Sequence, residues 1–251
     1  MLGAVGRWLA LEYSAAPDPC QPESGVEVDK NRSSPCRFCG QSGFGRLGLC
    51  GPCLQDLPLI ETACAGCGLP TPQTVASCGA CLQRKPAFDG ARALATYAYP
   101  FDWLIRRLKF AGDLSMEPGL ARRVWAFRPA GWPAADVLVP IPLHRGRLRE
   151  RGYDQGVELA RALARVSGLP VRSRLLVRQR STAPQTGLSA AGRRRNLSGA
   201  FRVGRKSKIP GRVCLIDDVM TTGATVDAAA STLRDAGVRE VLVWAAGRAT
   251  T

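Results

Sequence analysis

The sequence predicts a two-part chain, a small cysteine-rich module followed by an α/β domain built on a parallel sheet. Three observations carry this. Eight of the ten cysteines form four C-x-x-C pairs before residue 82. From residue 135 on, apolar runs of strand length alternate with amphipathic helical stretches, the pattern of a parallel sheet covered by helices. One apolar run, in LIDDVMTTGATV (215–226), closes on two adjacent acids and then on small hydroxylated residues.

Length and composition set the frame. A chain of 251 residues holds one or two domains, and 45% hydrophobic residues suffice for a packed core. The expected division is a short N-terminal segment with a disordered insertion (1–35), the cysteine-rich module (36–84) and the α/β domain (85–251). The formal net charge of +15 is uneven: between Leu159 and Ile216 there are fourteen Arg or Lys and no Asp or Glu. That clustering favours a polyanionic partner over a merely soluble basic surface. No apolar run approaches the roughly 20 residues of a membrane span. The opening MLGAVGRWLALEY carries Arg7 in its middle and lacks a clean cleavage site. The expectation is a cytoplasmic protein, whose thiols stay reduced.

The cysteine pairs are Cys36/Cys39, Cys50/Cys53, Cys64/Cys67 and Cys78/Cys81. Ten residues separate the pairs within each half, and the second half repeats the first 28 positions later, with glycine after the first pair in both (Gly40, Gly68). This is a duplicated zinc ribbon, C-x2-C-x10-C-x2-C. A disulfide framework or a redox C-x-x-C explains four pairs at a fixed repeat less well. The simplest pairing puts one structural zinc on Cys36, Cys39, Cys50 and Cys53 and a second on Cys64, Cys67, Cys78 and Cys81. The spacing also permits a crossed pairing. Metal binding would supply the folding free energy of a segment with so little core. Cys20 stands outside the repeat, in the stretch 14–35. Cys214, inside an apolar run, is expected in the core.

FDWLIRRLKFAG (101–112) predicts an amphipathic helix with a cationic face, with Trp103, Leu104, Leu108 and Ala111 on its apolar side and Gly112 as its stop. The rest of 86–130 is mixed. A strand follows over 135–142, then a helix over 154–168 with Asp154 as N-cap and Gly168 as stop. A strand over 211–216, a helix over 225–237 and a strand over 238–246 complete the series.

In open parallel sheets ligands sit beyond the carboxyl ends of the strands, where Asp217 and Asp218 fall. Thr221, Thr222, Gly223, Ala224 and Thr225 join that strand to the next helix. A helix N-terminus has unpaired N–H groups and a positive dipole end. Small residues let the backbone close on an anion, and hydroxyls add donors. Paired carboxylates suit vicinal hydroxyls or Mg²⁺. A diol plus a phosphate describes a ribose 5-phosphate; an acidic loop capping a helix is the plainer alternative.

This stretch resembles the 5-phosphoribosyl 1-pyrophosphate (PRPP) signature of type I phosphoribosyltransferases. Over roughly 36–249 the chain resembles the ComF family, phosphoribosyltransferase-like proteins of DNA uptake in natural competence. The cysteine module, LKFAGD (108–113), VPIPLHRGRLRERGYDQ (139–155), the PQTGLS…RRRN…GAF run (184–201) and LIDDVMTTGAT (215–225) carry the likeness. It implies a phosphoribosyltransferase-like α/β domain behind a double zinc ribbon. It implies that Asp217 and Asp218 contact the ribose hydroxyls and Mg²⁺, as the catalytic pair where transfer occurs, and that Thr221 to Thr225 hold the 5-phosphate. It places a pyrophosphate loop from Pro140 to Arg145, His144 included, with Arg149, Arg151 and Gln155 beside it. A flexible closing loop would bring Arg180, Gln185, Arg193, Arg195 and Asn196. Read without the family, His144 is a solvated loop residue sooner than a catalytic base, and the basic run is equally a disordered loop. Two departures matter: the family usually has Asn where this chain has Asp154, which keeps the cap and loses a donor, and residues 14–35 look like an insertion ahead of the cysteine module.

The expected function is binding of PRPP with Mg²⁺ and handling of single-stranded DNA during DNA uptake. The ribbon module and basic surface would supply phosphate contacts. Phe38, Phe44, Tyr97 and Tyr99 are candidates for base stacking or for core. Other competence or DNA-processing proteins would be partners. Two alternatives stay open: a metabolic phosphoribosyltransferase acting on a base or amine, and a non-catalytic PRPP sensor. No residue identifies an acceptor.

Overall fold

The computed structural model describes residues 35–41, 48–110, 117–126, 128, 132, 134–180, 199–204 and 208–250. The cysteine module comes first. Helix α1 (Gly51–Gln55) is capped by Cys50 and α2 (Gly79–Gln83) by Cys78, so each ribbon's second pair straddles the start of a short helix. In both ribbons the glycine after the first pair turns back with positive φ, 72° at Gly40 and 68° at Gly68. Each donates its N–H to the carbonyl of the first cysteine at 2.8 Å. A side chain is strained in that conformation, which is why glycine recurs there.

Next come β1 (Gly90–Thr96), α3 (Phe101–Phe110), α4 (Glu117–Ala126), β2 (Val137–Pro140), α5 (Arg145–Arg151), α6 (Gln155–Ser167), β3 (Leu176–Arg178) and β4 (Phe201–Val203). The chain then forms β5 (Arg212–Met220), α7 (Ala224–Asp235) and β6 (Glu240–Arg248). Four strands make a parallel sheet in the order β1-β6-β5-β2, and β3 and β4 pair separately as an antiparallel ladder. The near-continuous apolar strands are explained by burial on both faces. Cys214, Ile216, Leu242 and Trp244 face one core, shared with α3, α4, α6 and the first ribbon. Their alternating neighbours Val213, Leu215, Val241 and Val243 face the other, shared with α7, β3 and β4.

The ribbon module is built onto this sheet. Phe38 packs on Trp103 of α3, ring centroids 5.0 Å apart. The segment between the ribbons runs along β1: Thr96 N–H donates to Pro58 O at 2.8 Å and Ile60 N–H to Leu94 O at 2.9 Å. That contact covers an edge strand otherwise open to pairing.

Helix α6 has the expected ends, with Asp154 as N-cap and Gly168 at φ 72°. In α3 the core positions are Phe101, Leu104, Ile105 and Leu108, while Trp103 is only half-buried; Ala111 and Gly112 lie outside the described residues. Strand β1 has no counterpart in the sequence reading, and β5 runs four residues past its expected end. Cys214 is fully buried, and burial pushes its thiol well up. Cys20, Phe44, residues 14–34, Gln185, Arg193, Arg195 and Asn196 lie outside the described residues. No helix among those described is long and apolar enough to cross a membrane.

Candidate ligand site and metal centres

The eight ribbon cysteines form two clusters, Cys36, Cys39, Cys50 and Cys53, and Cys64, Cys67, Cys78 and Cys81, with the sulfurs of each within 4.8 Å of one another. Cys39 and Cys50 sulfurs are 3.6 Å apart, Cys67 and Cys78 3.7 Å, Cys64 and Cys81 3.9 Å. Tetrahedral zinc with bonds of about 2.3 Å spaces its sulfurs by about 3.8 Å. The donor set fits two structural zinc ions, each held within one half and not crossed between halves. Cys50 N–H donates to Cys36 Sγ at 3.3 Å and Cys78 N–H to Cys64 Sγ at 3.1 Å, outer contacts that orient a thiolate. A hydrogen bond from Cys67 brings Cys64 down to about 4, while the same bond and burial drive Cys67 far up. One thiolate is tolerated in such a cluster; four need a dication.

The two acids lie inside β5 and not beyond it. Asp217 pairs with Ala245, and the ladder continues through Val219 with Gly247 and Met220 with Arg248. The strand outlasts its apolar run because β6 extends just as far. Asp218 is 7% exposed. It accepts from Gln155 Nε2 at 2.7 Å and pairs with Lys109 Nζ at 3.0 Å. Gln155 accepts in turn from Arg151 Nη1 at 3.1 Å. Arg151, Gln155, Asp218 and Lys109 thus form one connected chain drawn from α5, α6, β5 and α3. Sequence reasoning named three of the four. It missed Lys109, whose signal was its place in LKFAGD.

Asp217 accepts the N–H of Asp218 on its own Oδ1 at 2.9 Å. Burial, then the charge of Asp218, raise its carboxyl to about 7, with Lys109 and Arg178 pulling the other way. Two adjacent carboxylates, one of them reluctant to ionise alone, are a donor set that fits Mg²⁺.

Thr221 and Thr222 lead to Gly223, the N-cap of α7, at φ 78°. Glycine offers no capping side chain, and Thr222 Oγ1 lies 3.5 Å from Ala224 N, a marginal contact. The N-cap residue thus supplies no side-chain bond to the first turn of this twelve-residue helix, which begins four positions after β5 ends. Arg248 holds the loop from behind. It is 6% exposed and donates from Nη1 to the carbonyls of Met220 (3.1 Å) and Thr221, and from Nε to Cys67 O at 3.2 Å. No motif pointed to it.

The Pro140–Arg145 segment is fixed at three points. Ile141 N–H donates to Ile216 O at 2.9 Å, Leu143 N–H to Asp154 Oδ2 at 3.1 Å, and Gly146 N–H to His144 Nδ1 at 3.2 Å. His144 is thus the N-cap of α5. Asp154 uses its other oxygen to cap α6 through Gly156 and Val157, so both carboxylate oxygens are acceptors. Burial raises this carboxyl against those three N–H donors, and the Asp218 charge adds to the rise. Arg145 and Arg149 are exposed, and Arg151 is the α5 arginine tied to Gln155. Arg180 is exposed just beyond β3. Of the aromatic candidates, Phe38 packs on the core, Tyr97 is half-buried and Tyr99 is 79% exposed.

Residues 33–82 match the double zinc ribbon domain. Competence protein F of Haemophilus influenzae is 33% identical over 222 residues, covering 85% of this chain and 96% of that protein. The DNA utilization protein YhgH of Escherichia coli strain K12 is 35% identical over 83% of this chain and 94% of its own length. Competence protein ComFC of Bacillus subtilis is 32% identical over 58% of each chain. Among solved structures, a glutamine phosphoribosylpyrophosphate amidotransferase from B. subtilis overlaps 51% of this chain and 25% of its own, at 23% identity and a TM-score of 0.34. Identity at this level along most of both sequences places the chain in the competence protein F (ComF) family.

Proposed function

We propose that the chain binds PRPP with Mg²⁺ at the carboxyl end of β5 and handles single-stranded DNA during DNA uptake, in the cytoplasm. The observation that carries the ligand is one strand–loop–helix unit. It sets two carboxylates, Asp217 and Asp218, ahead of a helix whose N-cap is a glycine. Acids there suit the ribose hydroxyls and Mg²⁺, and the N–H groups behind Thr221 to Thr225 suit the 5-phosphate. The Pro140–Arg145 turn, with Arg151 and Gln155, would receive the pyrophosphate, and Arg180, Gln185, Arg193, Arg195 and Asn196 would close over it. Bound Mg²⁺ would neutralise the pyrophosphate as it leaves. Lys109 holds one oxygen of Asp218 and has to share it with an incoming hydroxyl. The DNA half of the reading is supported by a net charge of +15 and by relatives named for competence and DNA utilization.

PRPP with Mg²⁺ should raise the Tm of the wild type and leave Asp217→Asn/Asp218→Asn unshifted. An unshifted wild type would sink the reading of the site. Pyrophosphate release, measured with and without single-stranded DNA and with a panel of bases, then separates the roles. Release with a free base alone marks a metabolic transferase, and none under any condition marks a sensor.

A further inference from the structure

A cavity of about 350 Å³ adjoins the carboxylates through Lys109, which lines it and pairs with Asp218. Its other walls are Phe110 from the end of α3, Arg147, Glu150 and Arg151 from α5, and Tyr153. Phe110 is 73% exposed, an uncommon setting for so large an apolar ring. The Arg151 guanidinium lies 5.0 Å from its centroid and is steadied by Gln155. Tyr153 is tied down through its hydroxyl, which donates to Leu108 O. The cavity thus offers two aromatic rings, three cations and one carboxylate.

Cations alone would serve any phosphate. An open phenyl ring beside them has no use for inorganic pyrophosphate or for a sugar phosphate. Ring plus cation is the pairing that holds a base by stacking and its phosphate by charge. Glu150 adds an acceptor for the amino or imino hydrogens of a base. The volume is at the small end for ligand pockets and suits one unit rather than several.

We propose that this cavity holds one nucleotide unit, its base against Phe110 and its phosphate on Arg147. This rests on the PRPP reading in one respect: it makes the nucleotide the second ligand of that site, delivered beside the sugar. The unit comes either from a free nucleotide or from a single strand.

The test uses the full chain. Binding of a fluorescein-labelled dT decamer is followed by anisotropy and binding of dTMP by calorimetry, for wild type, Phe110→Ala, Phe110→Trp and Arg147→Ala. The PRPP–Mg²⁺ shift in Tm is measured on each. Phe110→Ala should weaken decamer binding about tenfold or more and keep the PRPP shift, and Phe110→Trp should restore the affinity. Arg147→Ala should weaken binding and lower the slope of log affinity against log salt by about one. Phe110 is exposed, so unliganded Tm values should match the wild type.

Unchanged affinity for both ligands in Phe110→Ala overturns the proposal, as does a loss that Phe110→Trp shares. A loss seen with dTMP, where the decamer never binds, supports the cavity and assigns it to free nucleotides. A loss of decamer binding alongside a wild type that PRPP never stabilises supports the cavity and sinks only the PRPP reading.

Discussion

The buried guanidinium of Arg248 donates to the carbonyl of Cys67, a ligand residue of the second cysteine cluster, at 3.2 Å. Through Nη1 the same group holds Met220 and Thr221, where the loop from β5 to α7 begins. One side chain thereby joins the second cysteine cluster to the loop between β5 and α7. Arg248→Met should leave those carbonyls unpaired and cost about 3 kcal/mol in chemical denaturation. It should also shrink the PRPP–Mg²⁺ shift in Tm. Leu163→Ala, a cavity in α6 of comparable cost, should leave that shift intact. If the two variants lose it alike, Arg248 acts only through global stability.

Zinc content distinguishes the ribbon pairings. Cys36 and Cys50 belong to one cluster, so Cys36→Ser with Cys50→Ser should retain one zinc per chain by elemental analysis. A crossed arrangement would place those two cysteines on different ions, and the same variant would lose both. Chelation of the wild type should melt the module, because the metal supplies its folding free energy.

What the sequence made legible was local. The 28-residue repeat of cysteines needs only backbone spacing, and the helices over 154–168 and 225–237 announce themselves by period and caps. Strand β1 stayed unread because GARALAT carries Arg92 and three alanines, and its strand conformation is set by pairing with β6. Lys109 and Arg248 were missed for a related reason. Each acts on residues more than twenty positions away, Asp218 in one case and Cys67 and Thr221 in the other. Neither contact has a local period. The acids were read as lying beyond β5 because apolar character ends at Ile216, but the ladder with β6 is a backbone property and continues to Met220.

Asp154 accepts three N–H groups. Asparagine has one oxygen for two of them and turns its amide toward the third. Asp154→Asn should therefore keep the α6 cap and release Leu143 N–H, loosening the turn before α5. Stability should change by no more than about 1 kcal/mol, since relief of a buried charge offsets the lost bond. Hydrogen exchange should show Leu143 losing protection while Gly156 and Val157 keep theirs. Equal protection at all three amides would show that the turn is held by something other than this carboxylate.

Asp217 gives the site a pH dependence with a definite sign. Its carboxyl is raised by burial and by Asp218 to about 7, against about 3.9 in an unfolded chain. The folded state therefore binds this proton more tightly. The stability it contributes is fully present below about pH 4 and is lost as pH rises through about 7. Binding of PRPP with Mg²⁺ would run the opposite way, because the metal is held by the ionised carboxylate. PRPP–Mg²⁺ affinity should climb between pH 6 and 8, and binding at pH 6.5 should release a proton. Calorimetry in two buffers of different ionisation enthalpy reads that proton directly. Asp217→Asn should abolish the release and flatten the unliganded stability profile over the same range. Proton release that persists in the variant would assign the titration to another group.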